Sequence, residues 1–148
     1  MAVSSGVFPC YENAFTVETG ASETGASTMS PIADCESFSV SIDNGVEEWT
    51  PFTTDGWVRR LQTAKSISIS VSAKRNIGDA GNDFIAGLSF LSSRDVEANF
   101  LWTLPDGASL MFTDAVISVT NNGGGDSTAV APLEFEVLSN GKPTYTPA

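Results

Sequence analysis

From Ser66 the chain reads Ser-Ile-Ser-Ile-Ser-Val-Ser-Ala, and no other stretch limits its fold so tightly. As a helix this run would scatter Ile67, Ile69 and Val71 around the axis. As a strand it puts all three on one face and an unbroken serine row on the other, the period-two pattern of a half-buried β-strand. The same alternation sets Phe38, Val40 and Ile42 against Ser37, Ser39 and Ser41. It recurs at Val96, Ala98, Phe100, Trp102 and Leu104, whose other row is Glu97, Asn99, Leu101 and Thr103. A last run over 131–138 turns Leu133, Phe135 and Val137 inward and Glu134 and Glu136 outward.

Between these runs the turn chemistry is explicit. Asn44-Gly45 predicts a type I′ hairpin turn with 46–52 as the returning strand. Residues 53–64 then form a long excursion carrying Trp57, and Pro105-Asp106-Gly107 predicts a turn leading into a strand over 110–120. Asn121 to Asp126, with three glycines, is expected to be a flexible loop. One segment has helical spacing: Phe84, Leu88 and Leu91, with Ile85 beside them, after Asn82 as N-cap and Asp83 in the first turn. A short strand fits 15–17. The tandem ETGAS-ETGAS inside 18–31 predicts a mobile loop, and 139–148, rich in Pro and turn residues, an irregular tail. A chain of 148 residues, 41% hydrophobic, suits one domain over 1–148. The expected fold is mainly β: an antiparallel β-sandwich or barrel of about six or seven strands with one flanking α-helix.

Catalytic chemistry finds little footing. The sequence has no histidine, so its many serines lack the usual activating base, and no Gly-x-Ser-x-Gly elbow is present. Cys10 and Cys35 stand far from any basic neighbour and, with no export signal at the N-terminus, are expected to be free thiols. Glu134 and Glu136 have Cα atoms about 6.6 Å apart on a strand, which overlaps glycosidase spacing, yet alternating acids are the ordinary wet face of a strand. No zinc, EF-hand or phosphate-loop spacing appears, and Lys74-Arg75 ahead of Gly78 and Gly81 reads as a turn. The expectation is a non-enzyme with no catalytic residue, cofactor or metal. No apolar run reaches the roughly 18 residues of a membrane-spanning helix, so no membrane partner is expected.

Charge narrows the partners. The net charge is −11, unfavourable for gripping a phosphate backbone. It is also blocked: residues 1–58 carry −9, residues 59–75 carry +5 and residues 76–148 carry −7. The basic block (Arg59, Arg60, Lys65, Lys74 and Arg75) is either a solvated strand end or a surface meeting the acidic face of another copy.

The phrases NGVEEWTPF, DGWVRRL, KRNIGDAGND and PLEFEVLSNGKP, in this order, give the chain from about Tyr11 to Pro147 a resemblance to the major tail tube protein of long-tailed, siphovirus-type bacteriophages. That resemblance implies a β-sandwich with a flanking helix, built into homohexameric rings that stack head to tail as a hollow conduit for viral DNA. It implies partners of three further kinds (tape measure, initiator and terminator proteins), DNA that passes without specific binding, and a place in the virion tail after assembly in the host cytoplasm. It carries no catalytic residues. On this reading Glu97, Glu134 and Glu136 are candidates to line the lumen, or else face water outside the tube. Arg59, Arg60, Lys65, Lys74, Arg75 and Trp57 are candidates for contacts between subunits or rings, with Trp57 equally readable as core. The alternatives are the tube of a phage-tail-like bacteriocin or secretion device, and a monomeric β-sandwich binding or adhesion module.

Overall fold

The structure, a computed structural model, describes residues 3–21 and 27–148. Its strands are β1 (Ala14–Ala21), β2 (Ser27–Pro31), β3 (Cys35–Trp49), β4 (Arg59–Lys74), β5 (Glu97–Thr103), β6 (Ser109–Asn122), β7 (Pro132–Leu138) and β8 (Thr144–Thr146). Helix α1 covers Ala80–Gly87 and runs into a single 3-10 turn at Leu88–Phe90. All pairings are antiparallel, in the order β2-β1-β5-β6-β7-β4-β3 with β8 beside β6. The mainly antiparallel fold with one flanking helix is therefore as the alternation predicts.

One sheet makes a closed core because it folds over. Phe38 of β3, at one end of the strand order, lies 4.9 Å from Phe15 of β1 and 6.1 Å from Trp102 of β5, centroid to centroid, near the other end. The bend passes through β6. Its first residues pair with β8 and its last with β7, and between them Asp114 takes a left-handed φ of 53°. The Asp114 N–H donates to Asn99 Oδ1 at 2.9 Å, where the β5–β6 register slips between Ala98 and Phe100. A bulge of this kind lets one strand serve two layers. Between the layers Phe100, Phe112, Phe135, Ile69, Ile117 and Leu133 are fully buried, each stabilising the fold by about 1.5–3 kcal/mol.

Several local expectations are corrected. Asn44-Gly45 is not a hairpin turn. It lies inside β3, and the reversal comes at 50–58. Gly45 sits at a bulge and is needed for proximity: a Cβ there would stand 2.8 Å from Ala64 Cβ. The excursion 53–64 is accordingly strand from Arg59 onward. The helix N-cap is Asp79, whose Oδ2 accepts from Asn82 N at 3.0 Å, so Asn82 lies in the first turn. Within 18–31, the residues to Ala21 and from Ser27 are paired strand, because β2 completes the edge beside β1. Residues 22–26, most of the second ETGAS copy, lie outside the described residues. In the tail, Thr144–Thr146 pairs with β6 as β8.

Candidate assembly surfaces

The face of the sheet turned away from the core is a carpet of small polar residues. The pairing registers line up Ser39, Ser70, Glu136 and Ser118 in one row across β3, β4, β7 and β6. The next row holds Ser37, Ser72, Glu134 and Asn121, and the row on the other side runs Ser41, Ser68, Leu138, Val116 and Glu97. Residues opposite one another in a ladder share a face. Glu97, Glu134 and Glu136, all half-buried, thus lie on one side of one sheet, among serines too short to overtop them and with no basic side chain in the three rows. The serine alternation that identified the strands had already placed this face.

The second surface departs from the body altogether. β4 pairs with β7 only from Ser68 to Lys74; Ile67 is still tied to Ser139, and before that the one strand paired with it among the described residues is β3. Residues 43–49 and 59–66 therefore form a projecting two-stranded ribbon, every residue of it exposed. Isolated two-stranded ribbons are marginal in water. This one also exposes Val46, Trp49 and Leu61, and at its tip Phe52 and Trp57, the last at 79% of full exposure. The core reading of Trp57 is thereby excluded. The tip is nonetheless ordered. Thr54 Oγ1 is within hydrogen-bond distance of Pro51 O at 3.1 Å and Trp57 O at 2.8 Å, and Trp57 N donates to Thr54 O at 3.0 Å. Asp55 and Gly56 supply the left-handed residues that turn the chain.

The basic block is spread along the whole of β4 rather than gathered. Arg60 Nε meets Glu48 Oε1 at 2.8 Å across the ribbon, and this contact holds its guanidinium above the usual arginine range. Lys74 Nζ meets Glu36 Oε1 at 3.2 Å. Arg75 is taken up inside the chain, at 2.7 Å from Asp83 Oδ1, and that hydrogen bond draws the Asp83 carboxyl below its ordinary range. Arg59 lies 5.9 Å over the Trp49 ring, and among the described residues neither it nor Lys65 is within salt-bridge distance of a carboxylate.

The KRNIGDAGND phrase proves to be a polar latch that docks α1. Asn82 is fully buried with all four amide positions in use. Its Nδ2 donates to Lys74 O (2.8 Å) and Ala33 O (3.2 Å), and its Oδ1 accepts from Arg75 Nη1 (2.9 Å) and Asn76 N (3.0 Å). Asp79 Oδ2 also takes Ala33 N at 3.1 Å. The docking is close enough that a Cβ on Gly81 would stand 2.4 Å from Pro31 O.

At the foot of β3, opposite the ribbon tip, lies a cavity of about 480 Å³ with both cysteines in its wall. Phe15, Ile32 and Phe38 provide its apolar lining, and Tyr11, Asp34 and Glu36 also border it. Cys10 and Cys35 are free thiols, and burial, with Asp34 and Asp79 nearby, pushes the Cys35 thiol up to about 11. Among the described residues no group of three or more His, Cys, Asp or Glu is placed to hold a metal, and no helix is long and apolar enough to cross a membrane.

No protein-family model and no curated protein matches the chain in sequence. Solved structures do match its fold. A chain in the tail of an empty gene transfer agent particle, of C6 symmetry, superposes with a TM-score of 0.71 at 17% identity, covering 95% of this chain and 99% of that one. The tube-terminating cap of the anti-feeding prophage gives 0.60 at 18% identity, over 100% and 95%. The sheath–tube complex of an extracellular contractile injection system gives 0.60 at 13%, over 98% and 95%. From end to end, the chain has the fold found in these tail and tube assemblies.

Proposed function

We propose that the chain is the repeating subunit of a phage-type tail tube, six copies to a ring and rings stacked head to tail around a channel for viral DNA. The observation that carries this reading is the near-complete superposition on a chain of a C6-symmetric particle tail. The surfaces support it. The serine–glutamate face suits a lumen, since carboxylates among short neutral side chains repel phosphates and offer no grip to stall a moving duplex. The projecting ribbon and the long free edge of β3 are liabilities in a monomer, and neighbouring copies would cover them. In this role the protein is structural rather than catalytic, resides in the virion tail, and meets tape measure, initiator and terminator proteins at the limits of the tube.

Likeness to an injection-system tube and a prophage cap favours a second reading, the tube of a phage-tail-like bacteriocin or secretion device through which no DNA passes. Negative-stain electron microscopy with light scattering on the purified protein tests both. Six-fold rings or hollow tubes are expected. A species that stays monomeric at high concentration with a tail initiator present would overturn both in favour of a monomeric binding module.

A further inference from the structure

We propose that the aromatic tip of the β3–β4 ribbon seats in the cavity at the foot of β3 on a second copy of the chain. This rests on the tube reading and names the two surfaces that meet.

The tip is a preformed knob without a role inside its own chain. Phe52 is fully exposed and Trp57 nearly so, while Thr54 and the Asp55-Gly56 turn hold the loop that presents them. Rigid presentation of two aromatic rings to water is costly in a monomer and favourable at an interface, where little ordering remains to be done on binding. The cavity is the complementary feature: Phe15, Ile32 and Phe38 furnish an apolar lining with room for an aromatic side chain, and Tyr11 adds an aromatic wall. Arg59 follows the tip without a carboxylate partner among the described residues, and the cavity is bordered by Asp34 and Glu36, which within the chain also meet Asn76 and Lys74.

Geometry decides whose cavity is filled. Cys35 stands at the cavity and Trp49 at the tip, fourteen strand steps apart, or about 46 Å. A straight paired strand cannot fold back over that distance, so the tip reaches only a different molecule. A knob and a socket at opposite ends of one strand can meet head to tail, a heterologous contact that propagates from copy to copy as stacked rings require, whereas a reciprocal two-fold pair would give a cross-linked dimer and no ladder.

The test uses the native thiol in the cavity wall. Phe52→Cys and, separately, Trp57→Cys are made with Cys35→Ser, so that Cys10 is the remaining native thiol. Assembled protein is treated with a short bis-maleimide, and wild-type tubes and monomers are labelled in parallel with a monofunctional maleimide. The expected results are a ladder of cross-linked oligomers that disappears with Cys10→Ser, and Cys10 labelling at least tenfold slower in wild-type tubes than in monomers. Tubes in which Cys10 labels at the monomer rate overturn the docking and leave the tube reading standing. Slow labelling without a ladder from either variant overturns the tip as occupant. Protein that gives neither tubes nor cross-links with an initiator present overturns both.

Discussion

Replacing Asn82 by alanine removes the residue through which the helix, the end of β4 and the β2–β3 link hold one another. The loss can be worked from the contacts. Two carbonyls, Lys74 O and Ala33 O, lose their Asn82 donor, and the Asn76 N–H loses its acceptor, all at a fully buried side chain. Arg75 keeps Asp83 and Asn76 O, so its share of the loss is small. Three orphaned backbone groups at about 1–2 kcal/mol each, less about 0.6 kcal/mol for the better helix propensity of alanine, give a destabilisation of about 3–5 kcal/mol. That is a large part of the 5–15 kcal/mol typical of a domain, and at about 2–4 °C per kcal/mol it lowers Tm by roughly 6–20 °C. Urea unfolding of the unassembled protein, followed by tryptophan fluorescence, measures it. Asn44→Ala is the control: the same chemical change at an exposed site where the side chain accepts a hydrogen bond from Gln62, expected within about 0.5 kcal/mol. If Asn82→Ala cost no more than Asn44→Ala, the latch would not be holding the helix and the reasoning would be refuted.

Three further outcomes are expected. Gly81→Ala forces a methyl group against the Pro31 carbonyl and should cost about 2–3 kcal/mol in the same assay, despite alanine's higher helix propensity. Because the Arg75 hydrogen bond holds the Asp83 carboxyl below its ordinary value of 3.8, the ionised pair stabilises the fold above that pH and the benefit vanishes as pH falls through the lowered value; the Tm gap between wild type and Asp83→Asn should therefore be constant near neutrality and close in acid, and a gap that widened there would contradict the assignment. Changing Glu97, Glu134 and Glu136 together to lysine should leave tubes visible by microscopy but slow DNA release from reconstituted particles, and unchanged release would remove these residues from the lumen.

What could be read from the sequence followed burial. Where one face of a strand packs on the core the alternation is clean and the inward residues are found, as at Ile67–Ile69–Val71, although β4 begins seven residues earlier, and at Leu133–Phe135–Val137, where β7 is found within a residue. The ribbon has water on both sides, so Arg59 to Lys65 shows no period, and its continuation through Asn44-Gly45 could not be distinguished from a turn. The glutamate face was legible because serine and glutamate alternate with buried residues. The cavity was not, since Tyr11, Ile32 and Phe38 meet only when the sheet folds over. The latch was half legible. The Asn-Asp pair at a helix start was visible, but Asn82 acts as a buried bridge to Ala33 and Lys74, contacts that depend on tertiary packing.

The distribution of order in the molecule bears on how it would assemble. Aromatic and aliphatic side chains that a monomer would normally hide are concentrated at the far end of a ribbon, away from the body whose stability rests on Phe100, Phe112, Phe135 and the Asn82 latch. Core and contact surface are therefore carried by different residues, and altering the tip leaves the fold's own hydrogen bonds and packing intact. A chain of net charge −11 also repels its own copies at long range, so association depends on short-range contacts strong enough to overcome that repulsion. Two exposed aromatic rings on a preordered loop supply a contact of that kind without adding charge. In the proposed tube the acidic sheet face and the apolar tip are complementary: one would keep free subunits apart and leave a channel wall unattractive to phosphate, while the other would confine attraction to a place where a second copy can receive it.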